Sequence, residues 1–500
     1  MNQYFSFSNY RMPIILLLSS SLIVWIYLLL KKYQLFGYFD WDLAILSQAV
    51  WQLSHGSQSL SLTGFNFFGD HANFIALFMI PVYKIFPHPL TLVVIKIILF
   101  HIAALSLYYI TQKYLNKTVA VIFVIAFLFF PPNIFANIYE FNFDCVALVL
   151  LFWMIYFYKE KKFVPFLAVS CFVLLVKENM SLLLAMFGVL TLFLRDRDRW
   201  KWGVVPIIIG GALFFVLTMY VIPGFRGSDS YVLTTRYRHL GGSVGEILRA
   251  VFFNPGKILS MIFHFPHIYY FVSFFGGFLA LSLLGGEVLL ISTPFFLQHL
   301  LSSNWQEHTI FYHYSHALVP FIFLSAVYGL ARVKHKWGER KMMVVVTILG
   351  LIQIGHFAYF FNEYKSRLGY QNPRRAQENW QLVNAIPNDG HVLATFDYLA
   401  PLSARTYLYS FHKVFDEQFQ NEQERIKSPF YTKQTFAIPE NVEYALIDLH
   451  DRWLMARKKE APESVEQRIK DFLTSEEWTV ILKTGSRVLL QRNQDFYPRR

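Results

Sequence analysis

GYFDWDLAILSQAVWQLSHGSQSLSLTGFNFFGDHAN, residues 37–73, decides how the chain is read. It follows an apolar run at 12–30 and carries Asp40, Asp42, His55, Asp70 and His71. Within it, DLAILSQAVWQL places Leu43, Leu46, Val50 and Leu53 near one face of a helix. The stretch is too polar to cross a bilayer, which takes about 20 apolar residues. Charged groups at the mouth of a membrane bundle line polar cavities, so this loop is where chemistry on a lipid-linked substrate is expected.

The surrounding composition supports a membrane setting. Of 500 residues 55% are hydrophobic and 16% charged. Soluble domains carry about 25% charged residues. Apolar runs near 12–30, 89–111, 118–136, 144–158, 163–176, 180–194, 203–222, 266–284, 286–301, 316–331 and 342–361 predict an α-helical polytopic protein of about eleven spans. Residues 74–86 are apolar but short and interrupted by Pro81, which reads as an interfacial or re-entrant helix. Residues 1–361 are thus the transmembrane domain, with a first outer loop at 31–88. Residues 362–500 are charged, with strand-like runs at 391–396, 444–449, 478–482 and 487–491 and helical patterns at 374–385 and 464–473. They predict a soluble α/β domain.

Basic residues set the orientation. Lys113, Lys117, Lys159, Lys161, Lys162, Arg195, Arg197, Arg199, Lys201, Arg332, Lys334, Lys336, Arg340 and Lys341 fall in loops that are inner if the N-terminus is cytoplasmic. Loops 132–143 and 302–315 hold no Lys or Arg and are outer. Lys31 and Lys32 run against this pattern at the end of the first span. The expected location is the bacterial inner membrane with an extracytoplasmic C-terminal domain. The net charge of +12 follows from these loops, and no recognised nucleic-acid module accompanies it. Cys145 and Cys171, both in apolar runs, form neither a disulfide framework nor a zinc pattern.

Candidate site residues cluster on the outer side. Asp40 and Asp42 form a D-x-D. Either caps the helix, serves as general base for an acceptor hydroxyl, or holds a divalent cation (Mg or Mn) against a phosphate. Asp70 and His71 close the same loop, and Glu140 and Asp144 enter from the next outer loop. Lys177 and Glu178 interrupt two short apolar runs, either as a polar turn or as contacts to an anionic phosphate. Arg226, Arg236, Arg238 and His239 are candidate phosphate clamps or headgroup contacts. His313 and His316 stand three apart, as metal ligands sometimes do, or hydrogen-bond phosphate or sugar. No P-loop, dinucleotide fingerprint, H-E-x-x-H or G-x-S-x-G occurs. Gly210–Gly211, Gly276–Gly277 and Gly285–Gly286 read as close helix packing.

The run YFDWDLAILSQAVW resembles the opening of the DUF2079 group of predicted membrane proteins. The likeness continues through GDHANFIALFMIPVYKIFPHPLTLVVIK, YEFNFDCVALVLLFW, LLVKENMSLLL, YHYSHALVPFIFLSAVYGL and IPNDGHVLATFDYLAPLSARTYLY. It departs at Asn142–Phe143 and at Ser47. In layout that family is similar to the GT-C glycosyltransferases, multi-span enzymes that use polyprenyl-phosphate sugars. The resemblance implies Asp42 as the first-loop acid and Glu140 as the second-loop acid. The expected function is transfer of sugar from a polyprenyl-phosphate donor to a lipid, glycan or protein acceptor. A transporter or flippase, or a membrane scaffold, is the alternative. A transporter places its charges mid-span in matching repeats, whereas these acids fall in outer loops.

Overall fold

The structure is a computed structural model that describes residues 11–38, 41–195, 197–276, 279–415, 417–428, 430, 437–452, 454–456 and 462–496. Helix α1 (Arg11–Gln34) is apolar almost all round and leaves Ile15, Leu16, Ile23 and Val24 exposed, as a lipid-facing span does. Helix α2 (Asp42–Ser54) follows, then a hairpin of β1 (Ser59–Leu60) and β2 (Phe65–Asn66). Next come α3 (Pro89–Tyr114), α4 (Lys117–Leu128), α5 (Pro131–Ile138), α6 (Asp144–Lys159), α7 (Phe163–Leu174) and α8 (Met180–Leu194). A long helix, α9 (Trp200–Arg226), contains two π-helical turns. The last long element, α10 (Val319–Tyr359), is broken at Gly338, whose φ of +83° no helix adopts.

The expected eleven spans are not found. Among the described residues four helices (residues 12–34, α3, α9 and α10) are long and apolar enough to cross a membrane, or six if two bent pairs each count as one. Continuous hydropathy hid the breaks. The run at 118–136 is α4 and α5, bent by 47° at Pro131. The runs at 144–158, 163–176 and 180–194 fold as helices of 16, 12 and 15 residues. At 1.5 Å per residue these reach about 18–24 Å, short of a hydrocarbon core of about 30 Å. The run at 286–301 is divided into Glu287–Ile291 and Thr293–Leu301. The basic segment expected as a loop at 332–341 is helical except at Gly338.

Helix contacts are close where small residues permit. A Cβ on Gly210 would lie 2.4 Å from the Ser181 carbonyl oxygen, and one on Gly285 would lie 1.9 Å from that of Ser325. Gly211 faces open space, Gly286 would meet only its own turn, and Gly276 turns at φ +46° against His356. Gly277 lies outside the described residues.

The C-terminal sheet has the order β4-β3-β5-β7-β6, with β3 (Val392–Ala394), β4 (Leu408–Ser410), β5 (Tyr444–Asp448), β6 (Trp478–Thr484) and β7 (Arg487–Arg492). β3 runs parallel to β4 and β5, while β7 is antiparallel to β5 and β6. Side chains alternate between its faces. One face packs Leu393, Tyr409, Ala445, Ile447 and Leu490 with Phe411 and Trp478. The other packs Val392, Ala394, Leu408, Leu446 and Leu489 with Phe36, Ala44 and Leu62 of the first loop.

That second face explains why α2 is buried on its polar side as well. Leu43, Leu46, Val50 and Leu53 enter the membrane-side core. Gln52 donates to the Thr406 carbonyl at 2.7 Å, and Gln48 donates to Ser61 Oγ at 2.8 Å and accepts from Leu62 N at 3.2 Å. Ser403 donates to Ser47 at 2.8 Å, and Ser47 shares a 2.7 Å bond with Tyr83. Most buried polar groups are satisfied by such partners.

Candidate active site

A cavity of about 580 Å³ lies between the helical part and the C-terminal unit. Its walls include Asp42, Asp70, His71, Tyr139, Asn142, Lys177, Arg226, Arg236, His313 and Tyr314 from the first side. Phe396, His412, Lys413, Phe419 and Glu422 come from the C-terminal unit.

Asp42 is the first residue of α2, where the positive end of the helix favours a carboxylate. It does not cap the helix. Glu140 does, accepting from Leu43 N at 2.6 Å through Oε2. Glu140 is itself held by its backbone. The fully buried Lys96 donates to the carbonyls of Ala136, Asn137, Tyr139 and Glu140 at 2.7–3.3 Å. Lys32 donates to the Ile138 carbonyl at 2.8 Å. With the cap supplied from the second loop, the Asp42 side chain turns into the cavity, 29% exposed. Tyr139 donates to its Oδ2 at 3.2 Å, and His313 Nδ1 stands 3.6 Å from the same atom. Glu140 is buried and is not part of the cavity wall. Asp40 lies outside the described residues.

A second group forms the cationic wall. Glu178 is almost fully buried and accepts from Ala72 N at 3.1 Å and Tyr231 OH at 2.6 Å, and bonds His71 Nδ1 at 2.8 Å. Burial alone would raise its carboxyl, but the facing His71, Lys177 and Tyr231 outweigh that and hold it down at about 2. Asp70 is pushed up by desolvation and down by His71, Arg226, Arg236 and Lys177, ending below its ordinary value. Its carboxylate meets Arg226 at 3.4 Å, and Arg226 also donates to Glu422 at 2.9 Å and lies over the Phe65 ring. Arg236 is paired with Glu307. Lys177 lines the cavity, and among the described residues no hydrogen bond or ion pair engages its ammonium.

The structure therefore brings Asp42, Asp70, His71, Lys177, Arg236 and His313 into one cavity. Asp144 and Glu178 stand directly behind them, through His313 and His71. It does not bring in Arg238, which is exposed and outside the wall, or His316, which is buried away from it. Among the described residues no three His, Cys, Asp or Glu side chains converge as metal ligands. Trp41, Tyr139, Tyr314, His412 and Lys413 line the cavity without having been singled out in the sequence. Adjacency to the candidates Asp42, Glu140 and His313 could have pointed to Trp41, Tyr139 and Tyr314; no sequence signal marked His412 or Lys413.

A helical membrane part, a C-terminal α/β unit and a cavity between them define a multi-pass membrane protein. The chain belongs to the DUF2079 family of predicted membrane proteins, whose sequence model matches residues 32–483. Among solved structures it is similar to ArnT from Cupriavidus metallidurans bound to undecaprenyl phosphate. The TM-score is 0.56 at 11% identity, covering 97% of this chain and 99% of that one. For ArnT in the apo state the TM-score is 0.50 at 11% identity, covering 96% and 99%. The Archaeoglobus fulgidus oligosaccharyltransferase in complex with Zn and sulfate aligns with a TM-score of 0.42 at 11% identity, over 96% of this chain and 74% of that one, too loosely to argue from. No curated protein matches the sequence. The ArnT likeness shows a shared fold, the GT-C-like layout that the family resemblance implied.

Proposed function

We propose that this chain is a membrane glycosyltransferase that moves a sugar from a polyprenyl-phosphate donor to an acceptor hydroxyl at the outer face of the inner membrane. One observation carries the reading: a helix-start carboxylate, Asp42, and the Lys177 ammonium, without a bonded partner among the described residues, face the same cavity. Asp42 accepts the proton of the acceptor hydroxyl. The acceptor oxygen bonds to the anomeric carbon as the bond from that carbon to the phosphate oxygen breaks. The phosphate leaves with its electron pair and is stabilised by Lys177, with His71 and Arg236 beside it. One displacement inverts the anomeric centre. The binding of undecaprenyl phosphate by ArnT, which shares the fold, supports the donor class.

Native mass spectrometry with undecaprenyl phosphate tests the donor side. Wild type and Asp42→Asn bind it, and Lys177→Ala binds at least about tenfold more weakly, the change expected from one charge-assisted contact of about 1.5–3 kcal/mol. Equal binding by Lys177→Ala would overturn the assignment of this cavity to the phosphate.

A further inference from the structure

His313 is wedged between two carboxylates that come from different loops. Its Nδ1 lies 3.6 Å from Asp42 Oδ2, and its Nε2 lies 3.7 Å from Asp144 Oδ2. The ring is fixed from its faces by Tyr139 (centroids 5.7 Å apart, planes at 29°) and Tyr314 (4.2 Å, 36°). It is 5% exposed, as is Asp144. Among the described residues neither His313 Nδ1 nor Asp144 Oδ1 finds a hydrogen-bond partner. Both carboxylate separations are a few tenths of an ångström beyond a hydrogen bond, the slack that closes when an active site takes up its substrate.

Burial and the nearby cations, Lys177 first, keep the imidazole neutral by lowering its pKa well below the ordinary value. A neutral imidazole has a single N–H and so donates to a single carboxylate. Two carboxylates facing it can both be satisfied only if one of them carries a proton. Asp144, sealed from the cavity with an unpartnered oxygen, bears the higher cost of charge; Asp42 is 29% exposed. The hydrogens then run one way: Asp144 Oδ2–H to His313 Nε2, and His313 Nδ1–H to Asp42 Oδ2.

We infer that His313 is a positioning residue for Asp42, anchored from behind by a neutral Asp144, and that it aims the Asp42 carboxylate at the acceptor hydroxyl. The inference rests on the glycosyl-transfer reading and assigns no phosphate contact to His313. Misplacing a reacting group by about 1 Å costs about 100-fold in rate. His313→Asn keeps an N–H donor near the Nδ1 position; His313→Gln places its amide near Nε2, toward Asp144. Asp144→Asn keeps a donor toward Nε2, and Asp144→Ala does not.

The test is complementation of a deletion strain with the full-length variants. Glycolipid and glycan products are measured by mass spectrometry, and binding of undecaprenyl phosphate by the purified proteins is the control. His313→Gln and His313→Ala should fall about 100-fold in product and still bind undecaprenyl phosphate. His313→Asn should stay at least about tenfold above His313→Gln, and Asp144→Asn at least about tenfold above Asp144→Ala. If Asp42→Asn abolishes product but His313→Asn and His313→Gln are equal, the positioning role is overturned and the transfer reading stands. Asp144→Asn as damaging as Asp144→Ala overturns the neutral anchor. If Asp42→Asn leaves product at the wild-type level, the transfer reading itself falls. Where His313→Ala does not fold, the Asn/Gln and Asp144 pairs still decide.

Discussion

Glu178→Gln is the perturbation that reports most on how the cationic wall is built. The carboxylate is buried at 1% exposure and serves Ala72 N, Tyr231 OH and His71 together. Its pKa falls from an ordinary 4.5 to about 2 despite the opposing effect of burial. That lowering is a stabilisation of the folded state present above the unfolded value and lost as pH falls through the folded one. At about 1.36 kcal/mol per pH unit it amounts to about 3 kcal/mol at pH 7, less than about half of that at pH 3, and nothing well below pH 2. Glutamine keeps the shape and removes the charge. Thermal melting of the detergent-solubilised protein, followed by intrinsic fluorescence, should show Glu178→Gln well below wild type at pH 7, with the gap at least halved at pH 3. A gap absent at pH 7, or as large at pH 3 as at pH 7, would refute the charge-assisted account of this wall.

Other outcomes follow from the same contacts. Lys96→Met removes the donor to four carbonyls that fix the turn before Glu140; a loss of about 3 kcal/mol is expected, read as lowered melting in detergent. Arg226→Ala strands Asp70 and Glu422, both partly exposed, and should cost about 2 kcal/mol and speed proteolysis of the C-terminal unit. Gly285→Ala sets a methyl 1.9 Å from the Ser325 carbonyl oxygen and should lower melting sharply, whereas Gly211→Ala, facing open space, should leave melting within about 0.5 kcal/mol of wild type.

The membrane class and the C-terminal sheet are legible in the sequence because each rests on a local signal. Those signals are hydropathy and short apolar runs of strand length at 444–449 and 487–491. The span count is not, since hydropathy averages over the bend at Pro131 or the break at Ser292, each of which ends a helix without adding a charge. Strand β4 is missed because Leu408-Tyr409-Ser410 holds a single aliphatic residue, whereas the equally short β3 lies in the apolar run 391–396. The roles of Glu140 and Asp144 are hidden for another reason. Both are acids in one short loop, and only the fold shows one capping α2 while the other backs His313. The burial of α2 on its polar side is equally non-local, depending on Thr406 and Ser403 more than 350 positions away.

Glycosyl transfer through Asp42 is the central claim, and product analysis tests it most directly. A deletion strain is complemented with wild type, Asp42→Asn or Asp42→Ala, each verified to be in the membrane and to bind undecaprenyl phosphate. Mass spectrometry then compares envelope glycans and polyprenyl-phosphate sugars. The account predicts a glycosylated product with wild type alone and unconsumed donor lipid with both variants. The same product at the same level from Asp42→Asn would contradict it.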